Sequence, residues 1–106
     1  MREEFVDRFC AALQETERTT PFGDDTVIWT VRGHMFAAYT TGGHGVSVRV
    51  ENRLAAHKLV ARGQVMKVRY LRDGSWVIFP WSTGPDKLRA RITKSYDLVM
   101  ADGNGA

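Results

Sequence analysis

The spacing of apolar and polar residues changes several times along the chain, and each change marks an element. Phe5, Val6, Phe9, Cys10 and Leu13 recur at helical spacing with Glu3, Glu4, Asp7 and Arg8 on the other faces, which predicts an amphipathic helix over 2–15. Thr19-Thr20-Pro21-Phe22-Gly23-Asp24-Asp25 breaks it, because proline cannot continue a helix and glycine and aspartate favour turns. Thr26 to Arg32 is rich in β-branched residues and carries Trp29, and Gly33 separates it from Met35-Phe36-Ala37-Ala38-Tyr39-Thr40. Two antiparallel strands joined by a tight turn at Arg32-Gly33-His34 are predicted. A second turn, Gly42-Gly43-His44-Gly45, leads into Val46-Ser47-Val48-Arg49-Val50, whose alternation sets three valines on one face and Arg49 on the other.

Asn52 suits the N-cap of a helix over 53–62, with Leu54, Ala55 and Leu59 inward and Gly63 as the stop. Residues 64–71 and 75–81 read as a hairpin around Asp73-Gly74, a strong turn signal. Thr83-Gly84-Pro85-Asp86 opens a last helix over 85–100, with Leu88, Ile92, Tyr96 and Val99 as its buried stripe. The order is α-β3-α-β2-α. The fold class expected is α+β, one domain over 1–100 with an antiparallel sheet packed against helices, followed by a flexible tail over 101–106.

Composition narrows the class. At 106 residues the chain suffices for one core burying roughly 60–70% of its unfolded surface. No run of about 18 apolar residues offers a membrane span, and the polar segment after Met1 carries no signal-peptide pattern. Cys10 is the only cysteine, so no internal disulfide forms; a buried thiol in a protein of the cytoplasm is expected. The net charge of +3 is unevenly spread. Residues 1–31 carry seven acids against three bases, and residues 32–106 carry twelve bases against five acids. Such asymmetry is compatible with a polyanionic partner.

Pro21-Phe22-Gly23, the Val31-x-Gly33-x-Met35-Phe36-Ala37 turn, Trp76 in the hairpin and Ser95-Tyr96-x-Leu98-Val99 in the last helix occur in order over about 2–100. Together they resemble the MmcQ/YjbR family of small bacterial proteins. The resemblance implies a fold overlapping the frataxin/CyaY-like architecture and a proposed DNA-binding role in which projecting hairpins act as wings. Against the family pattern, His34 stands where lysine is usual, and Arg72-Asp73-Gly74-Ser75 replaces a basic loop before Trp76.

Lys67 and Arg69 share one side of a predicted strand, and Arg49 projects from another. If the faces coincide, Arg49, Lys67 and Arg69 form one cationic surface that Arg32 and Arg72 extend toward the hairpin tips. That surface would contact phosphates and not bases. The competing reading is a solvated sheet face kept soluble by charge. A second function is a small-molecule or protein-binding cleft between sheet and helices near Phe22, Met35, Trp76 and Trp81, with Trp81 the most open of the aromatic rings. His34, His44 and His57 are far apart and no Cys-x-x-Cys pair exists, so no metal site is expected. Ser82, Thr83 and Ser95 lack an evident His and Asp partner, and the glycine turn at 42–45 lacks the lysine and helix of a phosphate loop. A binding protein without enzymatic activity or cofactor is the expectation.

Overall fold

The computed structural model describes residues 2–68 and 74–105. In chain order the elements are α1 (Arg2–Ala11), β1 (Thr16–Thr19), β2 (Thr26–Val31), β3 (His34–Thr40), β4 (Gly45–Arg49), α2 (Arg53–Ala61), β5 (Met66–Lys67), β6 (Trp76–Pro80), a 3-10 turn (Trp81–Thr83) and α3 (Pro85–Gly105). The six strands form one antiparallel sheet in the order β1-β2-β3-β4-β6-β5, so the class is α+β. The sequence reading missed β1. Thr16-Glu17-Arg18-Thr19 is a short polar edge strand with no apolar alternation to announce it.

The first helix stops at Ala11, short of Glu15. The Thr16 hydroxyl donates to the carbonyls of Cys10 (2.9 Å) and Leu13 (3.0 Å), taking up acceptors that a helix end leaves free. The last helix instead continues beyond Met100 to Gly105. Asn52 caps α2 as expected, accepting from the Ala55 amide at 2.8 Å. Leu54, expected inward, is exposed.

Cross-strand partners share a face of a sheet. One row, Arg18-Trp29-Ala37-Val48-Val77-Lys67, runs across all six strands on the side that carries the helices. Its apolar middle joins Val27, Val31, Phe36 and Val46 in a core closed by Val6 and Cys10 of α1, Ala56 and Leu59 of α2, and Leu88, Ile92 and Val99 of α3. The next row, Thr19-Ile28-Ala38-Ser47-Ile78-Met66, lies on the opposite face. None of these six residues belongs to the core cluster.

Two irregularities shape the β2–β3 hairpin. Val31 pairs with His34 across Arg32 (φ 52°) and Gly33 (φ 83°), a two-residue turn with both φ positive whose twist matches the strands. Further along, Trp29 pairs with Ala37 but Thr30 with Met35, leaving Phe36 as an extra residue. This bulge lets the fully buried Phe36 reach Tyr96 of α3, edge to face at 5.4 Å.

Candidate nucleic-acid interface

The single cationic sheet face anticipated from the sequence is not formed. Arg49 pairs with Trp76 and Lys67 with Val77, neighbouring positions of β6, so their side chains project to opposite faces. Arg49 is also committed to structure. Its guanidinium Nη2 binds the Asp102 carboxylate of α3, and its backbone amide donates to Ser95 Oγ at 2.9 Å. Arg32 stands at the β2–β3 turn, ion-paired through Nη2 to Glu15 at 2.9 Å. Arg69 and Arg72 lie outside the described residues.

Lys67 is exposed at the outer edge of β5, on the side of the sheet that carries α2. It belongs to a longer pattern. Residues 52–72 contain six Lys or Arg (Arg53, Lys58, Arg62, Lys67, Arg69, Arg72) plus His57, and no Asp or Glu. Lys58 and Arg62 are one helical turn apart on the exposed side of α2, whose buried side is Ala56 and Leu59. Lys58, Arg62 and Lys67 make no ion pair among the described residues. Lys58 and Arg62 lie away from the strand faces on which alternation marks cations, and their signal in the sequence is a run of 21 residues without an acid.

The four residues proposed for an apolar cleft are not gathered. Phe22 is 80% exposed in the β1–β2 loop. Trp81, expected to be open, is half-buried, donating through Nε1 to the Gly43 carbonyl at 2.9 Å beneath the Arg2 guanidinium. Both lie toward the sheet end defined by the Thr26–Thr40 and Gly45–Pro80 pairs. Met35 and Trp76 occupy the other end, about four residues or 13 Å away along the strands. None of the four lines either of two concavities formed by described residues. A cavity of about 300 Å³ is lined by Thr26, Thr40, His44, Ser47 and Ile78 among others. A second, of about 520 Å³, lies between Gly63-Gln64 and the first turns of α3.

Two of the three acids of α1, Glu3 and Asp7, are tied into the fold. Asp7 accepts from Trp29 Nε1 (3.0 Å), Tyr39 OH (2.9 Å) and Arg18 Nε (3.3 Å), joining α1 to three strands. Burial, followed by the hydrogen bond to Asp7, raises the Tyr39 hydroxyl above its ordinary range. Glu3 accepts from the Gly42 amide at 3.2 Å, and its carboxyl is lowered by backbone hydrogen bonds from its own amide and that of Gly42. No group of three metal-ligating side chains occurs among the described residues. Cys10 is fully buried, and burial, with Asp7 adding to it, pushes its thiol up to about 12, far from a reactive thiolate. No described helix is long and apolar enough to cross a membrane.

A family model described as YjbR matches residues 11–98. No curated protein matches the chain. Among solved structures, the crystal structure of Deinococcus radiodurans protein DR2400, which carries a DUF419 domain, is similar in fold at a TM-score of 0.78 and 20% identity, over 92% of this chain and 78% of that one.

Proposed function

Because the chain belongs to the YjbR family, we propose that it binds DNA weakly and without sequence preference, in the cytoplasm, through the basic surface of α2 and β5. Lys58, Arg62 and Lys67 contact phosphate oxygens, and Arg69 and Arg72 extend the acid-free run in the sequence. Arg32 and Arg49 have no part in it, being engaged by Glu15 and Asp102. The reading is of binding alone, with no reacting group assigned. The observation that carries it is the stretch over 52–72, six Lys or Arg with no carboxylate, unlike the mixed charges of an ordinary solvated surface.

Fluorescence anisotropy with a labelled 20-base-pair duplex tests it. With about three phosphates neutralised, log K falls with log salt at a slope of about −2.7, a loss of about fortyfold between 50 and 200 mM. Lys58→Glu, Arg62→Glu and Lys67→Glu combined abolish binding, and a scrambled duplex binds as well as the original. No detectable binding at 20 mM salt, or a triple variant that binds like the parent, refutes the proposal.

A further inference from the structure

The second cavity, about 520 Å³ between the end of α2 and the start of α3, has the size of a small-molecule pocket. Its wall carries Gln64, Ser82, Thr83, Lys87 and Arg91, with the Phe79 ring as apolar floor and no carboxylate. Lys87 and Arg91 sit one turn apart on α3, so both charges face the same space. Neither makes an ion pair among the described residues. The acids nearby are taken. Asp86 binds Arg89 at 2.7 Å, and Glu51 binds Lys94 at 3.5 Å while also feeling the charge of Arg91. The Arg91 guanidinium lies 4.9 Å from the Phe79 ring centroid, a cation–π contact that uses none of its N–H donors. The wall also adjoins the first turn of α3, where the helix dipole is positive.

We infer that this cavity is a binding site for a small organic phosphate monoester. A phosphate dianion brings two negative charges and three terminal oxygens to Lys87, Arg91, Ser82 and Thr83, against the single charge and two oxygens of a carboxylate. Phe79, Pro80 and Ala90 give the organic part an apolar bed. The inference does not depend on DNA binding by α2 and β5, since it uses different cations.

The test is an amide-resolved NMR titration of the full chain with phenyl phosphate, inorganic phosphate and uncharged phenol. Phenyl phosphate gives saturable shifts centred on Gly63, Gln64, Ser82 and Thr83; inorganic phosphate moves the same amides more weakly and phenol does not. Lys87→Ala and Arg91→Ala each weaken phenyl phosphate binding by about tenfold, the loss of one charge-assisted contact. Arg91→Lys loses less, and the Lys58→Glu, Arg62→Glu, Lys67→Glu variant still binds. Lys87 is exposed, so its variant keeps the fold even if that of Arg91 loosens. Non-saturating shifts spread over every basic residue, undiminished binding by Lys87→Ala, or loss of binding in the α2–β5 variant overturns the inference.

Discussion

Replacing Ser95 with alanine removes one oxygen from the middle of the fold. Ser95 has no exposure, and its hydroxyl donates to the Phe36 carbonyl (2.7 Å) while accepting from the Arg49 amide (2.9 Å). The register explains why it stands there. β3 and β4 pair Ala38 with Ser47 and Ala37 with Val48, so the next partners in line are Phe36 and Arg49. The β3–β4 pairing stops at Ala37–Val48, and at the next step the serine hydroxyl bridges the Phe36 carbonyl and the Arg49 amide in place of a direct backbone bond. In Ser95→Ala both groups stay buried without a partner.

Two effects compete in sign. Alanine is the more apolar residue, so burial alone makes the change neutral or slightly stabilising. Each unsatisfied buried group, however, costs about 1–3 kcal/mol, so the pair costs about 2–6 kcal/mol. A domain of this length holds about 5–15 kcal/mol in all, so the loss is a large share of it. Urea unfolding followed by circular dichroism measures the difference as a lower midpoint at unchanged slope. Hydrogen exchange locates it, with the Arg49 amide losing protection before the rest of β4. Ser95→Thr keeps a hydroxyl but adds a methyl to a filled site, and Ser95→Cys offers a weak donor; both fall between parent and alanine. A loss under about 0.5 kcal/mol together with unchanged Arg49 protection refutes the spliced-ladder account.

Three further perturbations probe the scaffold. Asp7→Ala leaves Trp29 Nε1 and the Tyr39 hydroxyl without their acceptor and is expected to cost about 2–4 kcal/mol in urea unfolding, whereas Asp7→Asn, which keeps one oxygen, costs less than half of that. A Cβ on Gly45 would meet the Phe79 carbonyl oxygen at 2.0 Å, so Gly45→Ala forces β4 and β6 apart and lowers stability by about 3 kcal/mol or prevents folding, read from the melting temperature. Cys10 is held at a pKa of about 12 against an ordinary 9.0, so the folded state keeps its proton after the unfolded chain has lost it. That contribution is intact below pH 9 and is lost as pH rises from 9 toward 12, by about 1.4 kcal/mol per pH unit. Cys10→Ala should remove this slope, and the native thiol should resist a thiol reagent at pH 8 until urea unfolds the chain.

Much of the scaffold was legible because it rests on local signals. The Arg32-Gly33 turn, the Asn52 cap and the valines of β4 follow from short-range chemistry that a sequence states directly. The YjbR resemblance, read from four ordered fragments, agrees with the family match over 11–98. What failed was a comparison between strands. Whether Arg49 and Lys67 share a face depends on registers set by a loop and a crossover helix, and one residue of slip exchanges the faces. Alternation within each strand was readable; parity between them was not.

The last helix shows the same limit, with a signal that was available. Its buried stripe is Leu88, Ile92, Ser95 and Val99, successive steps of four, three and four residues, and Asp102 stands three residues further on, exposed. The sequence reading put Tyr96 in place of Ser95, favouring the larger apolar body. Tyr96 is half-buried, its ring against Phe36 and its hydroxyl donating to the Gln14 carbonyl at 2.7 Å. Ser95 in the stripe and Asp102 in phase with it both address Arg49, Ser95 taking its backbone amide and Asp102 its side chain. A serine and an aspartate in phase with buried aliphatic residues therefore marked a polar partner on the sheet. Arg49, as that partner, fastens β4 to α3, and the basic surface proposed for DNA is therefore the one that α2 and β5 present, where Lys58, Arg62 and Lys67 meet no acid among the described residues.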